Sequence, residues 1–156
     1  MKKLILISLA MVLSLSTFSQ TEGIGIGAAF GTNIDFTAKM WLGETTALAA
    51  ATGFDWGSYG GLHLSVDFLV HPWSFDVAQD MMKVYFGGGL GVGIYTGSYY
   101  YSSNFWMTLR PPVGVGYYFH SIPLEAFVEF VPGLDLFGPW DVNFRWGTYV
   151  GARWYF

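Results

Sequence analysis

The sequence contains no cysteine, few histidines and, across 156 residues, only 12% charged side chains. Without cysteine there is no disulfide framework, no thiolate metal site and no lipid-anchor cysteine after a leader. A soluble domain is about a quarter charged, so the shortage argues against a surface facing water on every side. Lys and Arg number 7 against 11 Asp and Glu, with no basic stripe, which excludes the electrostatic footprint of a nucleic-acid binder. Long apolar runs are scarce too. After the N-terminal segment none reaches the ~18 residues of a membrane-crossing helix, and Gly87, Gly89, Gly91 and Gly93 alternate where a helix would suffer.

What is present is aromatic side chains at 20%, 21 glycines and a recognisable leader. Lys2 and Lys3 precede the apolar run Leu4–Leu15, and Thr17 and Ser19 put small residues at −3 and −1 of a cut before Gln20. This pattern predicts a secretory signal peptide over 1–19 and a single domain over 20–156. Losing Lys2 and Lys3 would take the formal charge from −4 to −6.

The C-terminal residues carry the strongest signal. Val142, Phe144, Trp146, Thr148, Val150, Ala152, Trp154 and Phe156 alternate with Asn143, Arg145, Gly147, Tyr149, Gly151, Arg153 and Tyr155. A period of two is a β-strand with unlike faces. One face suits hydrocarbon and the other holds arginines and tyrosines, as in a transmembrane barrel. The same alternation runs through 23–31, 34–42, 46–56, 62–70, 83–95, 105–119 and 124–131, most of them near the ~9–11 residues of a tilted spanning strand. The expected fold class is all-β: a transmembrane, antiparallel, up-and-down β-barrel of eight strands. An apolar chain without spanning helices can cross lipid only as a closed sheet, because no backbone group can stay unpaired there.

The charges follow the same phase. Lys39, Lys83, Arg110, Arg145 and Arg153 fall on the inward set, as do Asp35, Asp55, Asp67, Glu125 and Glu129. Each Lys or Arg on the lipid face would cost ~2–4 kcal/mol at the midplane. A lumen this narrow is filled by side chains, so these ten residues should form a paired network. A last hairpin turning near Leu136–Phe137 would set Glu129 opposite Arg145, the best-ordered pair expected. Inward glycines on the first, fifth and eighth segments should make room for large groups opposite. An even strand count predicts both termini on the periplasmic side. Outer connections are then expected at 31–33, 57–61, 96–104 and 132–141, and inner ones at 43–45, 72–82 and 120–123. The remaining acids, including Asp76, Asp80, Asp135 and Asp141, should lie in the tail or turns. Pro111-Pro112 interrupts the sixth segment, where a bulge is expected, and 72–82 is long for a periplasmic turn.

With a leader, a strand meander and the ending Gly151-Ala152-Arg153-Trp154-Tyr155-Phe156, the chain resembles the small eight-stranded outer-membrane barrels of Gram-negative bacteria, the OmpA/OmpX type. The resemblance covers the mature chain and concerns architecture. It implies recognition of Val150, Ala152, Trp154 and Phe156 by the barrel-assembly machinery, and outer-membrane lipid as the surrounding partner. A periplasmic peptidoglycan-binding domain is not expected, since the chain ends with the barrel.

Chemistry is sparse. His63, Ser65 and Asp67 share one strand face, but i and i+2 stand ~6.5–7 Å apart, too far for a nucleophile and its base. His63 and His71 are farther apart still, so no metal is expected, and no other cofactor. Gly87-Gly88-Gly89-x-Gly91 lacks the following Lys-Ser/Thr and helix of a phosphate loop. Trp41, Trp73, Trp106, Trp146 and Trp154 near strand ends suggest interfacial girdles. Tyr99, Tyr100, Tyr101 and Trp140 sit in the longest outer loops, where they could contact an unknown surface partner. The expected role is non-catalytic: a structural or surface-interaction barrel, monomeric, with a filled lumen. The alternatives are a narrow solute conduit and, less favoured, a lipid-modifying enzyme.

Overall fold

Period-two alternation folds as nine antiparallel strands in the computed structural model, which describes residues 22–55, 61–95, 105–137 and 142–156, the Asp55 side chain excepted. They are β1 (Ile24–Gly31), β2 (Asn33–Trp41), β3 (Thr46–Asp55), β4 (Gly61–Val77), β5 (Asp80–Tyr95), β6 (Phe105–Arg110), β7 (Val113–Tyr118), β8 (Leu124–Phe137) and β9 (Asn143–Tyr155). Neighbours in sequence pair as a meander, and β1 also pairs with β9 through Ala28↔Ala152 and its flanking rungs. Since β6 and β7 are collinear halves lying between β5 and β8, the nine strands form a ring of eight. Closure removes every sheet edge within the ring.

The phase read from the sequence holds on each strand. Ile26, Phe36, Leu64, Phe68, Leu90, Val128 and Val150 lie exposed on the outside, and the alternate positions are buried within. Lys39, Lys83 and Arg153 are buried, Arg110 and Arg145 are half-buried, and Asp35, Asp67, Glu125 and Glu129 are buried. Inward glycines do supply space. A Cβ at Gly25 would meet the Tyr155 ring at 2.7 Å, and one at Gly93 would strike the Trp106 indole at 2.5 Å.

Several expectations are corrected. Pro111-Pro112 splits the sixth segment into β6 and β7 without a bulge. Gly89↔Arg110 and Phe86↔Val113 on one side, and Leu109↔Leu134 and Val113↔Phe130 on the other, keep one register across the break. That register sets Pro111 opposite Pro132, so two residues without N–H groups share a single rung. The Pro112 carbonyl still accepts from Gly87 N at 2.8 Å.

Residues 72–82 are not a turn. β4 runs on past the end of β3 and pairs with β5 from Trp73↔Val84 to Val77↔Asp80, while β5 keeps β7 on its other side from Met81↔Tyr118 to Phe86↔Val113; Asp76 and Asp80 are strand residues. A register shift between Val70 and Trp73 changes the phase, which keeps Trp73, Phe75 and Val77 on the exposed outer side. The turn is Ala78-Gln79, and Ala78 holds φ 58°, a left-handed conformation unusual for a residue with a Cβ.

The last hairpin is also longer than expected. β8 runs on through Pro132 to Phe137, so Glu129 opposes Tyr149 and Arg145 opposes Gly133. Glu129 and Arg145 therefore do not meet, and Asp135 is a buried strand residue rather than part of a turn. Among the tryptophans, Trp41 is buried inside and Trp106 turns into the lumen, whereas Trp73 and Trp146 are exposed on the outside.

Candidate functional site: a plugged lumen and an open vestibule

At the end of the ring that carries the termini, the lumen is closed by charge and aromatic rings. β8 contributes Glu125, fully buried, whose Oε1 accepts from Lys39 Nζ (3.0 Å) and Tyr118 OH (3.0 Å), while Oε2 accepts from Tyr155 OH (2.6 Å). Arg153 Nη1 lies 3.3 Å from the same Oε2, and its Nε and Nη2 donate to Thr37 Oγ1. One carboxylate thus faces two cations and two hydroxyls. Arg153 and Glu125 are direct cross-strand partners, and Lys39 arrives from β2 across the ring.

Aromatic faces complete the closure. Lys39 Nζ stands 4.6 Å from the Trp41 ring centre, 5.1 Å from Tyr85 and 5.4 Å from Tyr118. Lys83 lies 4.8 Å from the same Trp41 ring and donates to the Glu44 carbonyl at 3.1 Å. Tyr85 OH donates to Glu129 Oε2 at 2.8 Å, and the Arg153 guanidinium sits 3.8 Å from the Phe127 ring centre. Ring faces stabilise cations as a small-residue lining could not. With Ala47, Leu69, Tyr85, Tyr118, Tyr155, Lys39 and Glu125 all fully buried, this layer seals that end.

Midway up the lumen, Arg110 Nε meets Asp67 Oδ1 at 3.2 Å, and His63 Nε2 lies 3.3 Å from Asp35 Oδ1. Ser65 Oγ is buried without a hydrogen-bond partner among the described residues. His63 therefore faces Asp35 rather than Ser65. A void of about 20 Å³ beside Asp67, Arg110 and Glu129 has space for about one water.

Above that layer, at the end remote from the termini, the lumen opens into a vestibule of about 440 Å³. Its wall includes His63, Trp106, Arg110, Arg145, Asn143 and Tyr149. Trp106 rests against Gly91 and Gly93. Arg145 stacks over that indole at 4.5 Å, donates to Asp135 Oδ2 through Nε (2.9 Å) and Nη2 (2.6 Å), and reaches Tyr95 OH at 3.0 Å. Thr108 Oγ1 donates to the other Asp135 oxygen. Among the described residues, no Asp or Glu lines this cavity.

Of the residues singled out from the sequence, Lys39, Glu125 and Arg153 form one cluster, with Lys83 and Glu129 joining it through shared aromatic rings. Asp67 and Arg110 form a pair, and Asp35 and Arg145 take the new partners His63 and Asp135. Trp154 and Phe156 are half-buried beside the exposed Val150 and Ala152, and Phe156 N donates to Ile24 O across the closing seam. The Asp55 side chain, Tyr99, Tyr100, Tyr101, Trp140 and the expected leader, 1–19, lie outside the described residues. Tyr85, Tyr118 and Tyr155, which bind the plug carboxylates, were not singled out. Their inward phase was the available signal. No family model, curated protein sequence or solved structure matches the chain.

Proposed function

We propose that the chain is a non-catalytic outer-membrane barrel: a lipid-embedded ring, sealed at its periplasmic end, that presents its outer end as an interaction surface. The observation that carries this reading is the sorting of the two faces. The ring's outside is an almost continuous belt of exposed Ile, Leu, Val and Phe, far beyond the few hundred Å² tolerated on soluble monomers. The charged strand residues whose side chains are described within the ring turn to its interior. Lipid is the solvent in which both choices are stable. The leader would deliver the chain, and Val150, Ala152, Trp154 and Phe156 would present the assembly signal.

The buried layer around Glu125 argues against a conduit, and the distinct partners of His63 and Asp67 argue against a Ser65-based hydrolase. The test is to express the full chain in a Gram-negative host and examine outer-membrane fractions by electrophoresis before and after boiling. Folded barrel should migrate apart from the boiled form, and the purified protein should carry no current in planar bilayers. A soluble product, or a band indifferent to boiling, would overturn the membrane reading. Steady unit conductance would overturn the sealed one.

A further inference from the structure

We propose that the vestibule is a binding site for a small aromatic carboxylate. The inference stands on the cavity itself and does not require the membrane reading. The volume, about 440 Å³, lies in the usual range for small-molecule pockets, ~300–1,000 Å³. Plugs that merely fill a barrel leave voids of water size, as the 20 Å³ gap below does.

The lining selects for charge. Arg110 and Arg145 face the cavity, while their carboxylates Asp67 and Asp135 are 7% and 6% exposed and do not line it. Arg110 meets Asp67 through Nε alone among the described residues, which leaves both terminal nitrogens for a ligand. Arg145 spends Nε and Nη2 on Asp135 and Tyr95 and keeps Nη1. A carboxylate suits the free edge of a guanidinium, which can donate two parallel bonds.

A second observation points the same way. The His63 side chain is 3% exposed and lines the cavity; its Nε2 faces Asp35 Oδ1 at 3.3 Å, and its Nδ1 makes no hydrogen bond within the described residues. Buried polar atoms are normally satisfied, so the Nδ1 left without a partner on an imidazole at the cavity wall can take a ligand atom. The rest of the wall favours a flat body. Tyr149, Trp106 and Val131 supply apolar surface, and Gly61, Gly133 and Gly147 keep the space between them open. Asn33 and Asn143 near the mouth supply polar contacts. Because each arginine charge is already balanced by a carboxylate, the site is donor-rich rather than strongly cationic. That composition favours one monoanion over a polyanion.

The probe is 4-fluorobenzoate, observed by fluorine NMR with the full chain refolded in detergent. Saturable line broadening is expected, with Arg110→Gln weakening binding at least tenfold. Arg145→Gln should weaken it by a similar factor. The neutral 4-fluorobenzamide should bind at least tenfold more weakly, and inorganic phosphate should compete poorly. Far-ultraviolet circular dichroism reports whether each variant has folded. Asn143→Trp narrows the exposed mouth and removes no member of an ion pair, so it should weaken binding even if an arginine variant fails to fold. Absence of saturable binding to folded wild-type protein would overturn the proposal. So would equal binding of acid and amide, or affinity unchanged in both folded Arg110→Gln and folded Asn143→Trp. Strong competition by phosphate would replace an aromatic carboxylate by a general anion and overturn the stated class.

Discussion

Replacing Glu125 by alanine should be the most damaging single change in the lumen. The carboxylate is fully buried and receives Lys39, Tyr118 and Tyr155, with Arg153 at 3.3 Å. Its removal leaves two cations without their shared anion, and breaking a buried pair costs ~3–5 kcal/mol. The tyrosine hydroxyls lose an acceptor as well, at ~1–3 kcal/mol each if nothing replaces it. These costs do not add, since the four groups relax into one vacated space, and a net loss of about 4 kcal/mol is expected. Lys39→Met should be milder, about 1–3 kcal/mol, because Glu125 keeps Arg153 and both hydroxyls. Urea unfolding of protein refolded into lipid vesicles, followed by tryptophan fluorescence, measures both. With m near 2 kcal/mol/M, Glu125→Ala should lower the midpoint by roughly 2 M. A loss under about 0.5 kcal/mol for Glu125→Ala, or a larger loss for Lys39→Met, would refute the idea that one carboxylate organises the plug.

Exchanging Pro111 and Pro132 together for valine supplies two donors to their shared rung and should raise stability by about 0.5–1.5 kcal/mol per bond formed; the urea midpoint reports it. Asp135→Asn should loosen Arg145 while leaving the Glu125 cluster intact, and Glu129→Gln should leave Arg145 ordered; arginine side-chain NMR relaxation distinguishes the two. Beside the β4–β5 turn, Asp80 accepts from His120 N (2.8 Å) and Tyr117 OH (2.7 Å), and these bonds hold its carboxyl below its usual 3.8. A depressed carboxyl stabilises the fold above its unfolded pKa and loses that effect as pH falls through the folded value. Hydrogen exchange at the His120 amide should therefore gain protection with rising pH around and below 3.8, relative to intrinsic rates, and Asp80→Asn should abolish that dependence.

Strand phase was legible because it is a local property. Ile24-Gly25-Ile26 or Leu62-His63-Leu64 declares its two faces within three residues, and a one-residue slip would send every charge outward. Closure of eight strands followed from the same alternation, as did the inward direction of Lys39 and Arg153. Register was not legible. It depends on where a hairpin turns, and β8 carries inward Gly133 and Asp135 past the proline that looked like its end. Extending β8 to Phe137 shifts the pairing by four residues, which exchanges Glu129 for Asp135 as the partner of Arg145. Pro132 does not stop the strand because the donors missing from it and from Pro111 fall on one shared rung, and the rungs on either side stay paired.

The division of the lumen into plug and vestibule comes from a trade between glycine and aromatic residues across neighbouring strands. Tyr85 lies over Gly114, Tyr155 over Gly25 and Phe127 over Gly151, so each large ring folds down onto a neighbour that has no side chain. At the terminal end Tyr85 and Tyr155, together with Trp41 and Tyr118, converge on Glu125 and Lys39 and fill the section, while Phe127 packs on Arg153. At the other end Trp106 lies flat against Gly91 and Gly93, held by Arg145, and leaves the centre empty. A tryptophan that lies along the wall opens a cavity, whereas tyrosines that reach across close one. The residue types alone cannot distinguish these outcomes, because both use an aromatic opposite a glycine. The difference lies in what the polar end of the ring meets: a tyrosine hydroxyl reaches a central carboxylate and is drawn inward. Trp106 packs beneath a guanidinium whose own carboxylate, Asp135, sits in the wall on β8. The positions of Glu125 at the centre and Asp135 at the wall therefore decide which end of the barrel is sealed and which is open to a ligand.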